Sequence, residues 1–121
     1  MQLIEKLQKE EPKRNIVFTA IEKLTNPKEI EQFYKEYVEY LRKRGDQETR
    51  NNPEKVADEN IGYILGYYSA ETAQRWMEVL KSVRHPIFGK NIPFGDPAKA
   101  YKMGKSLITK NGSSKGATQK N

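Results

Sequence analysis

Three pairs of residues divide this chain into helices and constrain its fold more than any other feature. In each pair a capping side chain directly precedes a proline: Asn26-Pro27, Asn52-Pro53 and Asp96-Pro97. The capping side chain accepts a hydrogen bond from a first-turn N–H, and proline at the first helical position already has the φ angle that a helix requires. The pairs therefore predict three helix starts, and Ser69 predicts a fourth.

Apolar side chains at helical spacing support these starts and predict two further helices. The segments Gln2–Glu10 and Asn15–Leu24 both favour helix, although residues 16–19 have the composition of a strand, and a strand stays the alternative there. Gly45 predicts a left-handed helix stop, followed by a polar loop to residue 52. The predicted core residues are Trp76, Tyr67, Ile64, Leu65, Leu41 and Tyr37.

Gly62 and Gly66 lie four residues apart inside the helix predicted after Asn52. Each glycine costs roughly 1 kcal/mol of helix propensity relative to alanine, so close packing must compensate. The pattern therefore predicts that another backbone packs against this glycine edge. In the last helix, four residues are predicted to face inward: Ala100, Met103, Gly104 and Leu107.

These signals predict an all-α fold, a single small domain of five or six helices packed as an irregular bundle. The domain covers residues 1–110, and residues 111–121 form a disordered basic tail because they contain no large apolar side chain. The chain has no cysteine, no apolar run long enough for a bilayer and no signal-peptide core. We therefore expect a cytoplasmic protein with no membrane partner.

Positive charge is concentrated in the last third of the chain. Residues 1–80 have 13 Lys and Arg against 15 Asp and Glu, whereas residues 81–121 have 9 against Asp96 alone. Such an end is either an electrostatic contact surface or a solubilising device. Weak, sequence-blind nucleic-acid binding would use these lysines, although no arginine follows Arg84 to read bases. The nucleic-acid candidates are Lys99, Lys102, Lys105 and Lys110.

The loop HPIFGKNIPFG, residues 85–95, is the most distinctive stretch of the sequence. It is apolar but rich in turn formers, so it either folds back on the core or is presented to a partner. The presented form predicts a non-enzymatic interaction protein whose anchors meet a protein partner or a second copy of the chain. The partner-binding candidates are Arg84, His85, Ile87, Phe88, Lys90, Ile92 and Phe94.

His85 is the single histidine, and this limits the possible chemistry. One imidazole without cysteine cannot make a histidine or cysteine metal site, and no phosphate-loop or dinucleotide motif occurs. We therefore predict no catalytic residue, no metal site, no cofactor and no enzymatic activity. The alternative is a small enzyme that uses His85 with a nearby acid or hydroxyl. The purely structural role for His85 is to donate a hydrogen bond to a carbonyl at the C-terminal end of its helix.

The second half of the chain resembles a family. The stretches NIGYILGYYSAET, RHPIFG and DPAKAYKMGKSL, between Asn60 and Leu107, resemble an uncharacterised family of small prokaryotic and phage-borne helical proteins. Its shared pattern is a Gly-Tyr-Tyr helix, a His-Pro-hydrophobe-Phe-Gly turn and a short capped helix. The resemblance implies a small helical fold and no particular chemistry.

Overall fold

The computed structural model describes residues 2–83 and 95–115, with the backbone alone for residues 110–115. This described part is all-helical, which confirms the predicted fold class. Its seven helices are α1 (Gln2–Glu10), α2 (Ile16–Lys23), α3 (Pro27–Arg44), α4 (Gln47–Asn51), α5 (Pro53–Leu65), α6 (Ala70–Val83) and α7 (Pro97–Lys115). Helix α7 continues past residue 110, where the sequence predicted the helical domain to end.

Capping hydrogen bonds form at three of the four predicted helix starts. Asn26 Oδ1 accepts from Lys28 N at 2.8 Å at the start of α3. Ser69 Oγ accepts from Thr72 N at 3.2 Å before α6, and Asp96 Oδ1 accepts from Lys99 N at 3.0 Å before α7. The four starts predicted from these residues and Asn52 are confirmed.

Asn52 and Asn15 refine this account. Asn52 precedes α5 as predicted, but its side chain makes no capping bond there, and its Nδ2 instead donates to Glu48 O at 3.3 Å at the end of α4. Asn15 Oδ1 accepts from Val17 N at 2.8 Å and begins α2. Residues 16–19 are therefore helical, and the strand alternative is wrong.

Two predictions are wrong here: the left-handed conformation of Gly45 and the loop that follows it. Gly45 has φ −75° and ψ 171°, so it ends α3 in extended rather than left-handed backbone. The chain then enters the short helix α4, because Asp46 Oδ1 accepts from Thr49 N at 2.8 Å. Glycine suits this position because an added Cβ would lie 2.5 Å from Thr49 Cγ2 and 2.7 Å from Leu41 O.

Trp76 is the largest side chain of the core, in which α1, α2, α3, α5 and α6 meet. It is fully buried and lies edge-on to Phe33, with ring centroids 5.8 Å apart. Phe33 in turn stacks on Tyr37 at 5.5 Å. Leu65 is also fully buried, whereas Leu41 and Ile64 are partly buried against the core.

Tyr67 is the one predicted core residue that the structure places on the surface. Its side chain is 61% exposed. Helix α5 ends at Leu65, and the next residues form tight turns in which Tyr67 N donates to Ile64 O at 3.0 Å. The prediction was wrong because it extended the helical stripe past Gly66, where the backbone leaves the helix.

Helices α5 and α7 are in backbone contact through glycines. A Cβ added at Gly62 would lie 2.5 Å from Pro97 O, and one at Gly104 would lie 2.6 Å from Tyr63 O. A Cβ at Gly66 would lie 2.8 Å from Lys105 N. Such distances leave no room for a side chain, so the predicted close packing against the glycine edge is confirmed. Because Gly62 lies against Pro97 and Gly66 against Lys105, the two helices run side by side in the same direction.

Glu36 of α3 caps the N-terminal turn of α1 across the fold. Its carboxylate accepts from Ile4 N at 2.9 Å and from Leu3 N at 3.3 Å, and Gln32 Nε2 donates to it at 2.9 Å. Burial acts to raise the pKa of Glu36, but these hydrogen bonds outweigh it and hold the pKa below its ordinary value. Glu36 thus fastens α1 to the domain through its charged form.

The Glu36→Gln variant should lose about 1 kcal/mol at neutral pH, because hydrogen bonds to a charged acceptor are stronger than those to a neutral one. A depressed folded-state pKa stabilises the protein above the unfolded pKa, and this stabilisation is lost as pH falls through the folded value. The difference from the parent in urea unfolding should therefore shrink as pH falls below about 4.3, the ordinary pKa of glutamate. Glu31→Gln is the matched control, because its pair with Lys35 is exposed. Equal effects of both substitutions would contradict the capping role.

Candidate functional site

The exposed large apolar side chains of the described residues are not scattered. They lie on α5, on α7 and in the turn between α5 and α6, and they are Tyr63 (39% exposed), Met103 (46%), Leu107 (50%) and Tyr67 (61%). Single exposed apolar residues are ordinary, whereas a cluster on one face marks a contact surface or a groove. Met103 and Leu107 were predicted to face inward, so that part of the sequence prediction was wrong.

The reason for their exposure is the close approach of α5 and α7. Where the backbones touch, the α7 residues that lie between them are Pro97, Ala100 and Gly104, and all three are buried. We call this line of backbone contact between α5 and α7 the seam. The larger residues Met103 and Leu107 lie beside it. Tyr63 lies on the other side of the seam and its hydroxyl contacts Met103 Sδ at 2.8 Å.

Two open cavities follow this seam and share Tyr63. The larger, about 460 Å³, lies between α2, α5 and α7, with Gly104 in its lining. The smaller, about 280 Å³, lies between α5 and the start of α7. We call the two together the α5–α7 groove, lined by Asn15, Phe18, Glu59, Tyr63, Ile64, Tyr67, Asp96, Lys99, Ala100, Met103, Gly104, Leu107 and Ile108.

The α7 side of this groove is positively charged. Helix α7 has five lysines and no Asp or Glu in its sequence. Lys99, Lys102 and Lys105 are exposed, as predicted, and Lys99 also lines the smaller cavity. Lys105 Nζ lies 3.5 Å from Tyr68 O, which places its charge beside the turn after α5. The larger cavity is therefore mostly apolar, whereas the smaller cavity has Lys99 and two carboxylates, Glu59 and Asp96, in its lining.

A charged network lies next to the larger cavity. Arg14 Nη1 donates to Glu22 Oε1 at 2.8 Å, and Tyr68 Oη donates to Glu22 Oε2 at 2.7 Å. The bonds from Arg14 and Tyr68 hold the pKa of Glu22 below its ordinary value, while burial and the Glu22 carboxylate raise the pKa of Tyr68. Arg14 also lies over the Phe18 ring, 5.7 Å from its centroid, and so supports one wall of the groove.

Asp58 holds in place the residue that leads into α7. Its side chain is fully buried, and Oδ2 accepts from Gly95 N at 3.0 Å. Gly95 lies against α5 so closely that an added Cβ would be 2.6 Å from Lys55 O. The residue before the Asp96 cap is therefore held on α5, which sets where α7 begins and where the groove opens.

The partner-binding residues predicted from the loop lie outside the described residues. They are Arg84, His85, Ile87, Phe88, Lys90, Ile92 and Phe94. The same holds for the side chain of Lys110 and for residues 116–121. The roles suggested for the loop, the use of His85 in catalysis included, stay predictions. Of the candidates, the structure describes the side chains of Lys99, Lys102 and Lys105.

Sequence reasoning missed the α2 wall of the groove. Phe18 belongs to a segment in which helix and strand stayed open, so its face could not be assigned. Its ring lies 5.3 Å from that of Tyr67. One signal was available, because the small residues at 62, 66 and 104 predict a close seam, and large apolar residues beside such a seam have little room to turn inward.

Within the described residues, no three His, Cys, Asp or Glu side chains are grouped in a way that could hold a metal ion. Over the same part of the chain, no helix has both the length and the hydropathy needed to cross a membrane.

Comparison of the chain with models of protein families, with characterised proteins and with solved structures finds no match. The resemblance of residues 60–107 to a phage-borne family therefore stays a prediction, and the function is argued from the groove.

Proposed function

We propose that this protein is a non-enzymatic interaction protein that binds a macromolecular partner in the α5–α7 groove. The observation that carries the proposal is the location of the exposed large apolar side chains. Those of the described residues, Tyr63, Tyr67, Met103 and Leu107, lie along this one groove. Apolar anchors surrounded by charged residues are the usual composition of a protein interface.

The groove is also pre-formed, which favours a binding site over a non-specific apolar surface. Its floor is held by the glycine contacts of α5 with α7, and its α2 wall by the Phe18–Tyr67 ring contact. A surface that needs no rearrangement loses less conformational entropy on binding. The apolar loop at residues 85–95 is a second surface that the same partner could contact, on the evidence of its sequence.

Site-specific photo-crosslinking in a lysate of the native host tests this proposal. A photo-reactive amino acid in place of Leu107 should give a discrete crosslinked product, because that side chain is half exposed at the groove. The matched control has the same group at Gln74, an exposed position on α6. Identical products from the two positions, or no product from Leu107, would contradict the proposal.

Non-specific nucleic-acid binding is a second candidate, favoured by the lysines of α7. Lys99, Lys102 and Lys105 are exposed, and three phosphate contacts would give a log–log salt slope of about −2 to −3. Replacing all three with glutamine should remove most of that slope in a titration against a labelled oligonucleotide. Absence of binding at low salt, where the attraction is strongest, would eliminate this candidate.

A further inference from the structure

We infer that Met103 is an oxidation-sensitive site, at which a hydroperoxide converts the thioether into a sulfoxide and thereby weakens binding in the α5–α7 groove. The modification follows from the contacts of Met103, whereas its effect on binding rests on the proposed function. Three observations carry the inference: the exposure of this side chain, the hydrogen bond that its sulfur accepts from Tyr63, and its place beside Leu107.

Met103 is the more accessible of the two methionines whose side chains the structure describes. It is 46% exposed, whereas Met77 of α6 is partly buried against the core. The chain has no cysteine, so no thiol of its own competes for an oxidant. A peroxide reaches an exposed thioether more readily than one packed in a core, so Met103 should react before Met77.

The reaction at this site is a two-electron oxidation. A lone pair of Met103 Sδ attacks one oxygen of the peroxide, and the O–O bond breaks as the S–O bond forms. The released hydroxide takes up the proton left on the transferred oxygen and becomes water. A methionine sulfoxide reductase reverses the change at the expense of two thiols, which become a disulfide, and each such enzyme acts on one sulfoxide epimer.

Tyr63 of α5 determines which side of the sulfur is open to attack. Its hydroxyl donates to Met103 Sδ at 2.8 Å and so occupies one of the two sulfur lone pairs. The peroxide must then approach from the other side, which gives an excess of one sulfoxide epimer. The sulfoxide sulfur has a partial positive charge and accepts poorly, so the hydrogen bond between α5 and α7 is lost on oxidation.

The new oxygen lies in the lining of the groove. Met103 lines the smaller cavity together with Tyr63, and Tyr63 also lines the larger one. Leu107 follows Met103 by four residues, so the two side chains are neighbours on the surface of α7. An apolar group bound beside Leu107 would remove water from the S=O group without replacing its hydrogen bonds. The oxidised groove should therefore bind such a group less tightly.

Peptide mapping by mass spectrometry after treatment with hydrogen peroxide tests the modification. Met103 sulfoxide should form before Met77 sulfoxide. The two epimer-specific reductases, applied separately to the isolated peptide, should show an excess of one epimer in the parent. That excess should disappear in Tyr63→Phe, which keeps the ring but lacks the hydroxyl. Faster oxidation of Met77, or the same epimer ratio in the parent and in Tyr63→Phe, would overturn the inference.

The photo-crosslink at Leu107 tests the effect on binding. The protein is oxidised, freed of peroxide and added to a lysate from which small thiols have been removed, so that reductases cannot repair it. Oxidation should lower the yield of the crosslinked product about tenfold. The matched control carries Met103→Leu in addition, and its yield should be the same with and without peroxide treatment.

The outcomes separate this inference from the proposed function. Equal crosslink yields from the reduced and the oxidised parent would overturn the effect on binding and leave the proposed function intact. No crosslink from the reduced parent would remove the proposed function and, with it, the effect of oxidation on binding. The order of oxidation and the epimer ratio need no partner, so they decide the modification in either case.

Discussion

Replacing Gly62 with alanine should destabilise the protein by about 1–3 kcal/mol, although alanine is the better helix former. The new Cβ would lie 2.5 Å from Pro97 O and 2.9 Å from Ala100 Cβ. The nearer atom belongs to the backbone and cannot rotate away, so α5 and α7 must move apart. Gly104→Ala should behave alike, because its Cβ would lie 2.6 Å from Tyr63 O. Urea unfolding followed by circular dichroism measures both effects.

Ser106→Ala is the matched control for this prediction. Ser106 lies on the exposed face of α7, so the substitution should leave stability unchanged or raise it slightly through helix propensity. The double variant Gly62→Ala, Gly104→Ala should cost less than the two single losses together, since helices already separated by one Cβ accommodate the second. Single glycine variants that unfold at or above the parent's urea concentration would show that the helices are not in backbone contact.

Trp76→Ala should cost about 3–5 kcal/mol, the usual loss for removing a fully buried aromatic side chain. The indole lies in the centre of the core against Phe33 and is fully buried. Since small domains are stable by only about 5–15 kcal/mol, a large share of the molecules should be unfolded in mild denaturant. Thermal unfolding measured by far-ultraviolet circular dichroism reports the loss.

Trp76→Phe separates the packing of the ring from its polar group. The indole Nε1 has no hydrogen-bond partner among the residues that the structure describes, so phenylalanine removes ring volume without leaving a bond unmade. We therefore expect Trp76→Phe to retain most of the stability that Trp76→Ala loses. A Trp76→Ala protein that melts like the parent would contradict the assignment of this residue to the core.

The helix starts could be predicted because they depend on local chemistry. A side-chain oxygen at Asn26, Ser69 or Asp96 reaches an N–H two or three residues away, and this geometry is present in the sequence alone. The close seam could also be predicted, because glycines inside a helix need a compensating contact. What the sequence does not contain is the identity of the covering element, which for Gly62 and Gly66 is α7.

The groove could not be predicted because it depends on how far each helix is covered. Periodicity shows that Met103 and Leu107 share a side of α7, but not that the seam with α5 is too narrow for them. Tyr67 was misassigned for a related reason, since one turn after Leu65 changes the direction of its side chain. The capping of α1 by Glu36 joins residues 32 positions apart, and no local pattern indicates such a contact.

Hydrogen–deuterium exchange of the protein with and without the partner captured at Leu107 tests the central claim most directly. Binding in the α5–α7 groove should slow exchange of the amides in residues 63–68 and 100–108, the two segments that contain most of its lining residues. Amides of α1 and α6 should exchange as they do in the free protein. Slower exchange in α1 or α6, with residues 63–68 and 100–108 unchanged, would contradict the assignment of the groove as the binding site.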